Sequence, residues 1–165
     1  MKEFTITTLV KECGIEELDA SDRRLVDSAR EATRSSYSPY SKFHVGAALQ
    51  LADGSIVCGS NQENAAYPSG MCAERTALYY ASATHPGVAI RKIAIAAWSK
   101  DGKEPDMPWE EYFQQMPISP CGACRQALLE YEVLYGKIEV LLYGKEKTYI
   151  FPSIGSLLPF SFTSF

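Results

Sequence analysis

The chain has 165 residues, 46% of them hydrophobic and 22% charged, which fits one compact domain with a core of its own and excludes global disorder. Sixteen Lys and Arg against twenty Asp and Glu give a formal charge of -4, which argues against a grip on nucleic acid through many phosphate contacts and favours a small-molecule partner. No apolar run approaches the roughly 18–20 residues of a membrane span, and the opening Met1-Lys2-Glu3-Phe4-Thr5 lacks the unbroken apolar stretch of a secretory signal, so the expectation is a cytoplasmic protein with no membrane partner.

Residues 21–36 place Leu25, Ala29 and Ala32 at helical spacing, with Ser21 or Asp22 available to cap the first turn, and predict an amphipathic helix. Pro39 breaks the pattern by restricting the residue before it. Residues 43–51 are apolar with small side chains, Ala52-Asp53-Gly54 is a turn signal, and residues 55–59 resume a strand, which together predict a hairpin. Residues 61–71, rich in Asn, Pro and Gly, read as a loop. Residues 72–83 are good helix formers, so Cys72 stands at or near a helix start, where backbone amides and the helix dipole favour an anion. Residues 92–98 read as a short buried strand, residues 121–132 as a helix opened by Pro120, and residues 138–143 and 148–151 as the last two strands. The alternation predicts a single α/β domain over residues 1–165: a three-layer sandwich with a mixed, mostly five-stranded sheet covered by helices. Its initial hairpin is antiparallel and its later crossovers are parallel.

Five cysteines, Cys13, Cys58, Cys72, Cys121 and Cys124, are an odd number in a chain too large to depend on a disulfide framework, so metal binding or catalysis is the better reading. Chemistry concentrates in Cys72-Ala73-Glu74-Arg75 and Pro120-Cys121-Gly122-Ala123-Cys124-Arg125. On a helix, Cys121 and Cys124 share one face a turn apart, so both sulfurs can reach one ion. A catalytic zinc keeps three protein ligands and a water in the fourth position. Cys13 and Cys58 sit in ordinary helix or strand patterns, His44 in a strand and His85 at a helix end, so no fourth protein ligand is evident. Glu74, two residues beyond Cys72, falls beside the site, where a proton shuttle is needed by a water whose pKa zinc has lowered. Three thiolates and a divalent cation sum to a net -1, a charge that Arg75 and the two helix starts can offset through hydrogen bonds to sulfur. Cys-x-x-Cys alone is shared with redox dithiols and half-built structural zinc sites. A redox dithiol, however, needs neither a third cysteine nor a nearby Glu, and a structural zinc closes its shell with a fourth ligand.

Taken in order, Tyr37-Ser38-Pro39-Tyr40-Ser41-Lys42-Phe43-His44-Val45-Gly46-Ala47-Ala48-Leu49, Asn61-Gln62-Glu63-Asn64-Ala65-Ala66-Tyr67, Cys72-Ala73-Glu74-Arg75-Thr76-Ala77, Pro120-Cys121-Gly122-Ala123-Cys124-Arg125-Gln126 and Leu157-Leu158-Pro159-Phe160-Ser161-Phe162 resemble the cytidine deaminases of the small, cysteine-only, homotetrameric type. The resemblance implies one Zn2+ per chain on Cys72, Cys121 and Cys124, with Glu74 moving protons between water, ring N3 and the departing ammonia. It implies hydrolytic deamination of cytidine and 2′-deoxycytidine in pyrimidine salvage. By the same resemblance Asn61 and Glu63 bind the ribose, Phe43 lies beside the base, Tyr67 and Ala73 line the substrate pocket, and Arg75 supports the thiolates. Phe162 would then reach a neighbouring subunit's pocket, making the active sites composite within a homotetramer.

The residues themselves leave plainer roles open: a self-capping polar loop for Asn61 and Glu63, core packing for Phe43, loop support for Tyr67, and a packed tail or dimer seam for Phe160, Phe162 and Phe165. Two stretches depart from the family pattern. Residues 100–119 read as an insertion, with Trp109, Tyr112 and Phe113 on one face of a short helix after Pro108, either a packed surface insert or a lid over substrate. The first twenty residues, with Phe4, Ile6 and Leu9, form an extension. Rival functions are deamination of a modified aminonucleoside and a non-catalytic, zinc-stabilised binding protein; Arg75 after Glu74 and the terminal aromatic motif favour cytidine over the first.

Overall fold

The sheet is organised around two long central strands. In the computed structural model, which describes residues 1–101 and 107–164, β2 (Phe43–Leu51) and β4 (Ile90–Ser99) pair antiparallel from Phe43↔Ser99 to Leu51↔Ile90. Their central residues are covered on both faces, which is why β4 reads as the near-continuous apolar run Ile93 to Ala97. β3 (Ile56–Ser60) folds back on β2 through a turn in which Gly54 takes φ 88, a backbone conformation open to glycine. On the other side β5 (Glu139–Tyr143) runs parallel to β4, β6 (Thr148–Phe151) returns antiparallel to β5, and β1 (Lys11–Cys13) pairs antiparallel with β6. The spatial order is β1-β6-β5-β4-β2-β3.

The sheet therefore has six strands where the sequence suggests five. β1 is three residues long and mostly exposed, so no alternation of apolar side chains announces it; its strand character comes from backbone pairing with β6.

Three helices complete the predicted three-layer sandwich. α2 (Ala73–Thr84) and α3 (Gly122–Tyr135) pack on one face over Ala47, Leu49, Ile93, Ile95 and Leu142, while α1 (Ala20–Ala32) covers Ala48, Ala94, Ala96 and Leu141 on the other. Alternate strand residues thus feed two separate cores, as the two-residue period of a strand requires. α1 begins earlier than its apolar spacing suggests. Its cap is Asp19, whose carboxylate accepts from the Asp22 amide, whereas Asp22 itself turns inward to pair with Lys92 at 2.6 Å and the Ser21 hydroxyl accepts from Gln50.

Two close contacts position the functional end of the molecule. At Gly59 of β3 a Cβ would come within 2.4 Å of the Ala77 nitrogen and 2.7 Å of the Ala73 carbonyl, so the first turns of α2 rest directly on the strand. On the opposite face, residues 107–116 thread into the α1 layer. A 3-10 turn at Trp109–Tyr112 follows Pro108, Phe113 bridges to Trp98, and the Gln114 amide donates to the Ala97 carbonyl. Phe113 is fully buried, with Trp109 and Tyr143 edge-on to it and the Arg30 guanidinium 5.1 Å from its ring centre; Arg34 lies 3.9 Å over Trp109. The described aromatic part of the insertion is therefore core packing against α1. Residues 102–106 of the insertion, and Phe165, lie outside the described residues. No helix among the described residues is long and apolar enough to cross a membrane.

Candidate active site

The N-terminal ends of α2 and α3 meet and bring three sulfurs together. Cys72 is the N-cap of α2, Cys121 is the N-cap of α3, and Cys124 follows one turn into α3. Neither cap side chain accepts from the first-turn backbone amides of its helix. Instead the Cys72 and Cys121 sulfurs lie 3.9 Å apart, those of Cys121 and Cys124 lie 3.5 Å apart, and all three fall within 4.8 Å of one another. A tetrahedral zinc with bonds of about 2.3 Å to sulfur has edges of about 3.8 Å. The donor set thus fits Zn2+ in both chemistry and spacing. Among the described residues no fourth His, Cys, Asp or Glu joins the cluster. Cys13 lies in β1, Cys58 in β3 against the Ser28 carbonyl, His44 is stacked on Trp98, and His85 ends α2.

Two of the thiols are shifted in opposite directions. Hydrogen bonding from Cys124, joined by Arg75 and Cys121 and opposed by burial, brings Cys72 down to about 5. Cys124 moves the opposite way, held up by its interaction with the Cys72 sulfur and by burial. Arg75 Nη2 stands 3.8 Å from Cys72 Sγ, and that bond pushes the guanidinium up in turn. Glu74, in the first turn of α2, is 4% exposed. Burial pushes its carboxyl up, the Cys72 charge adds to the effect, and contacts with Cys124 and Arg75 work against it.

These groups open on a cavity of about 640 Å³, within the size range of small-ligand sites. Phe43, Asn61, Glu63, Tyr67, Ala73 and Glu74 all contribute to its wall, together with Cys72, Cys121 and Arg75. Cys124 lies behind that wall, buried. Two neighbours that sequence reasoning left unassigned, Ile118 and Ser119, complete the side next to Cys121. They end the 100–119 insertion, and their closeness in sequence to a metal ligand is the signal that points to them.

Asn61 is a bracket as well as a wall residue. Its Oδ1 accepts from the Val45 amide at 2.8 Å and the Ser36 hydroxyl at 2.6 Å, and its Nδ2 donates to the Phe43 carbonyl at 3.0 Å and the Ser38 hydroxyl at 3.3 Å. Both donor and both acceptor capacities are therefore engaged within the chain. Glu63 Oε2 accepts from the Tyr40 and Ser41 amides at 2.9 and 3.2 Å, and the Ser41 side chain leads the interactions that hold its carboxyl down. Tyr67 stands at the rim, 87% exposed. Phe162 is not on this wall: its ring is exposed and its carbonyl accepts from Gln126 Nε2 at 2.7 Å.

Comparison with known proteins agrees with this geometry. The family model for the cytidine and deoxycytidylate deaminase zinc-binding region matches residues 19–137. The cytidine deaminase of Sporosarcina psychrophila is 36% identical over 140 residues, covering 85% of this chain and 90% of that protein. That of Halalkalibacterium halodurans is 42% identical over 108 residues, covering 64% and 68%. The crystal structure of cytidine deaminase from Burkholderia pseudomallei matches 84% of this chain and 97% of its own with a TM-score of 0.68 at 38% identity.

Proposed function

Because the chain belongs to the cytidine and deoxycytidylate deaminase family, we propose that it acts as a single deaminase domain over residues 1–165. It hydrolyses cytidine and 2′-deoxycytidine to uridine and 2′-deoxyuridine with release of ammonia, serving pyrimidine salvage. The observation that carries this reading is the sulfur triangle at tetrahedral-edge spacing, opening on a cavity whose wall holds a buried, non-ligating carboxylate. Cys72, Cys121 and Cys124 would hold the Zn2+. When bound there, zinc supplies the acidity that lets a water act as a nucleophile near neutral pH.

Glu74 handles the protons. As the C4–O bond forms and the C4–N bond breaks, one proton of the water passes through Glu74 to ring N3 and stays in the product, and the other passes to the exocyclic nitrogen and leaves with ammonia. Buried as it is, Glu74 exchanges protons with the reacting groups in preference to bulk water. Ala73 offers a first-turn amide of α2, which has no intrahelical partner, to the carbonyl oxygen of the base. Phe43 packs against the base. Glu63 and Asn61 mark the sugar end, where Glu63 accepts a hydroxyl directly and Asn61 reaches one only by exchanging one of its four internal bonds. Tyr67 covers the rim, and Arg75 holds the Cys72 thiolate.

Homotetrameric assembly with composite pockets belongs to the same proposal. It is supported by the exposure of Phe162 in the single chain, away from the cavity of its own subunit. The absence of a nucleic-acid partner accords with the net charge of -4, and a cytoplasmic location is part of the same proposal. Ammonia release is measured from cytidine, 2′-deoxycytidine, cytosine, cytidine monophosphate and a short single-stranded DNA, alongside zinc content. Release from the two nucleosides is expected; zinc-replete protein that releases none, or releases it from the DNA instead, overturns the reading.

A further inference from the structure

The first ten residues form neither strand nor helix and are exposed throughout, yet they are tethered. β1 pairs with β6 and so directs the segment toward the 3-10 turn at Ile154–Leu157 that follows β6. There Thr8 Oγ1 donates to the Ser156 carbonyl at 2.9 Å. The Phe4 ring lies 5.9 Å from that of Phe160 with 59° between their planes, a geometry in which aromatic pairs attract.

The tail that the segment meets is fastened on its other side to the helix bearing two of the sulfurs. Arg125 Nη1 donates to the Leu157 carbonyl at 2.8 Å and Gln126 Nε2 to the Phe162 carbonyl at 2.7 Å. Arg125 also donates through Nε to the carbonyl of Pro120, next to Cys121. Between these anchors Phe160 takes φ 56, a left-handed conformation that a residue with a Cβ keeps only when its surroundings impose it. The anchors at Leu157 and Phe162 hold the two ends of that turn. Phe4 contacts the residue in the middle.

We propose that the N-terminal segment is the positioning element of the aromatic tail: Phe4 holds Phe160 in its left-handed turn so that Phe162 is presented to the cavity of a second copy of the chain. This inference rests on the composite-pocket reading of Phe162. Its physical basis is preorganisation, since a tail fastened only at its ends samples turns that point Phe162 elsewhere, and ordering it would otherwise be charged against substrate binding. The effect therefore falls on substrate affinity, because Phe162 covers the base and carries no proton.

Full-length Phe4→Ala, Phe4→Tyr, Phe162→Ala and the Phe4→Ala/Phe162→Ala double variant are compared by steady-state cytidine kinetics, light scattering and zinc content. Loss of one aromatic pair corresponds to about a two- to twelve-fold rise in KM for Phe4→Ala, with kcat within about twofold and mass and zinc unchanged. Phe4→Tyr restores KM, and the double variant is no worse than Phe162→Ala alone. Thr8→Val, which removes the Ser156 bond, shifts KM the same way by less. Normal kinetics in Phe4→Ala beside a raised KM in Phe162→Ala overturns the positioning role and leaves the composite pocket standing. No effect of Phe162→Ala removes both. A smaller assembly in Phe4→Ala makes Phe4 an assembly contact and also overturns the proposal.

Discussion

Replacing Glu132 by Ala tests how the C-terminal turn is fastened to the helix that carries Cys121 and Cys124. Glu132 Oε2 accepts from the Ile138 amide at 2.8 Å and the Ile154 amide at 2.9 Å, and Oε1 accepts from the Gly155 amide at 3.0 Å. With the carboxylate in place Ile138 and Ile154 are fully buried while Glu132 and Gly155 are half-buried, so its removal takes a charged acceptor from two amides that lie deeper than that of Gly155. Two orphaned buried donors, each formerly bonded to a charged acceptor, cost about 1.5–3 kcal/mol apiece. The expected loss is about 3–6 kcal/mol, a large share of the roughly 5–15 kcal/mol that holds a domain folded. Glu132→Gln keeps one oxygen that serves both isoleucine amides and turns its NH2 toward Gly155, so it loses one replaceable bond, about 1 kcal/mol. With a urea dependence of about 2 kcal/mol per molar, the midpoint falls by roughly 1.5–3 M for Ala and about 0.5 M for Gln. Both are measured at equal protein and zinc concentrations, because metal and assembly add to apparent stability. A midpoint for Glu132→Ala within about 0.3 M of the parent, or a Gln variant as damaged as the Ala variant, refutes the reasoning.

Glu74→Gln is expected to lower kcat by about 10²–10⁴ while zinc per chain stays constant by metal analysis; an unchanged rate takes the proton shuttle away from Glu74. Gly59→Ala drives a Cβ into the Ala77 nitrogen and Ala73 carbonyl, lifting the start of α2 off β3. It is expected to cost about 1–3 kcal/mol in thermal unfolding and to weaken zinc retention against a chelator, and an unaltered melting curve would show that the contact is not tight. His44 supplies a pH prediction. Burial, against the opposing Glu63 charge, holds its imidazole below the ordinary 6.5. The unfolded chain therefore binds the extra proton first as pH falls, so this contribution to stability is complete above the ordinary value, declines through it, and is lost once the lower folded value is passed. His44→Phe keeps the stack on Trp98, whose ring lies 3.9 Å away at 10°, and should lose less stability than the parent on acidification from about pH 7.5 to about pH 5.5. Equal losses in both proteins would remove His44 as the source.

Much of the site is legible before any coordinates because its signals are local. The Ala52-Asp53-Gly54 turn sets the β2–β3 hairpin, helix formers after Cys72 and Pro120 set the starts of α2 and α3, and the one-turn separation of Cys121 from Cys124 puts both sulfurs on one face. Glu74 beside Cys72 is equally a matter of adjacent residues. Where a distant partner competes, local reading slips. Asp22 looks like a cap, but Lys92, 70 residues away, draws it inward and leaves the cap to Asp19. Trp109 and Phe113 look like a helix face, yet Arg30, Arg34 and Tyr143 take them into the α1 layer.

Composition and spacing by themselves thus determined the kind of donors, the positions of two helix starts and an α/β order of elements, since turn chemistry and helical periodicity act over a few residues. Only the tertiary structure decided that Cys72 meets Cys121 across 49 residues, that Asn61 spends its amide holding the cavity wall, and that Glu132 fastens three amides. Such contacts depend on the order in which strands lie in the sheet and on which buried donors are left needing an acceptor, and neither quantity has a signature within one turn of chain.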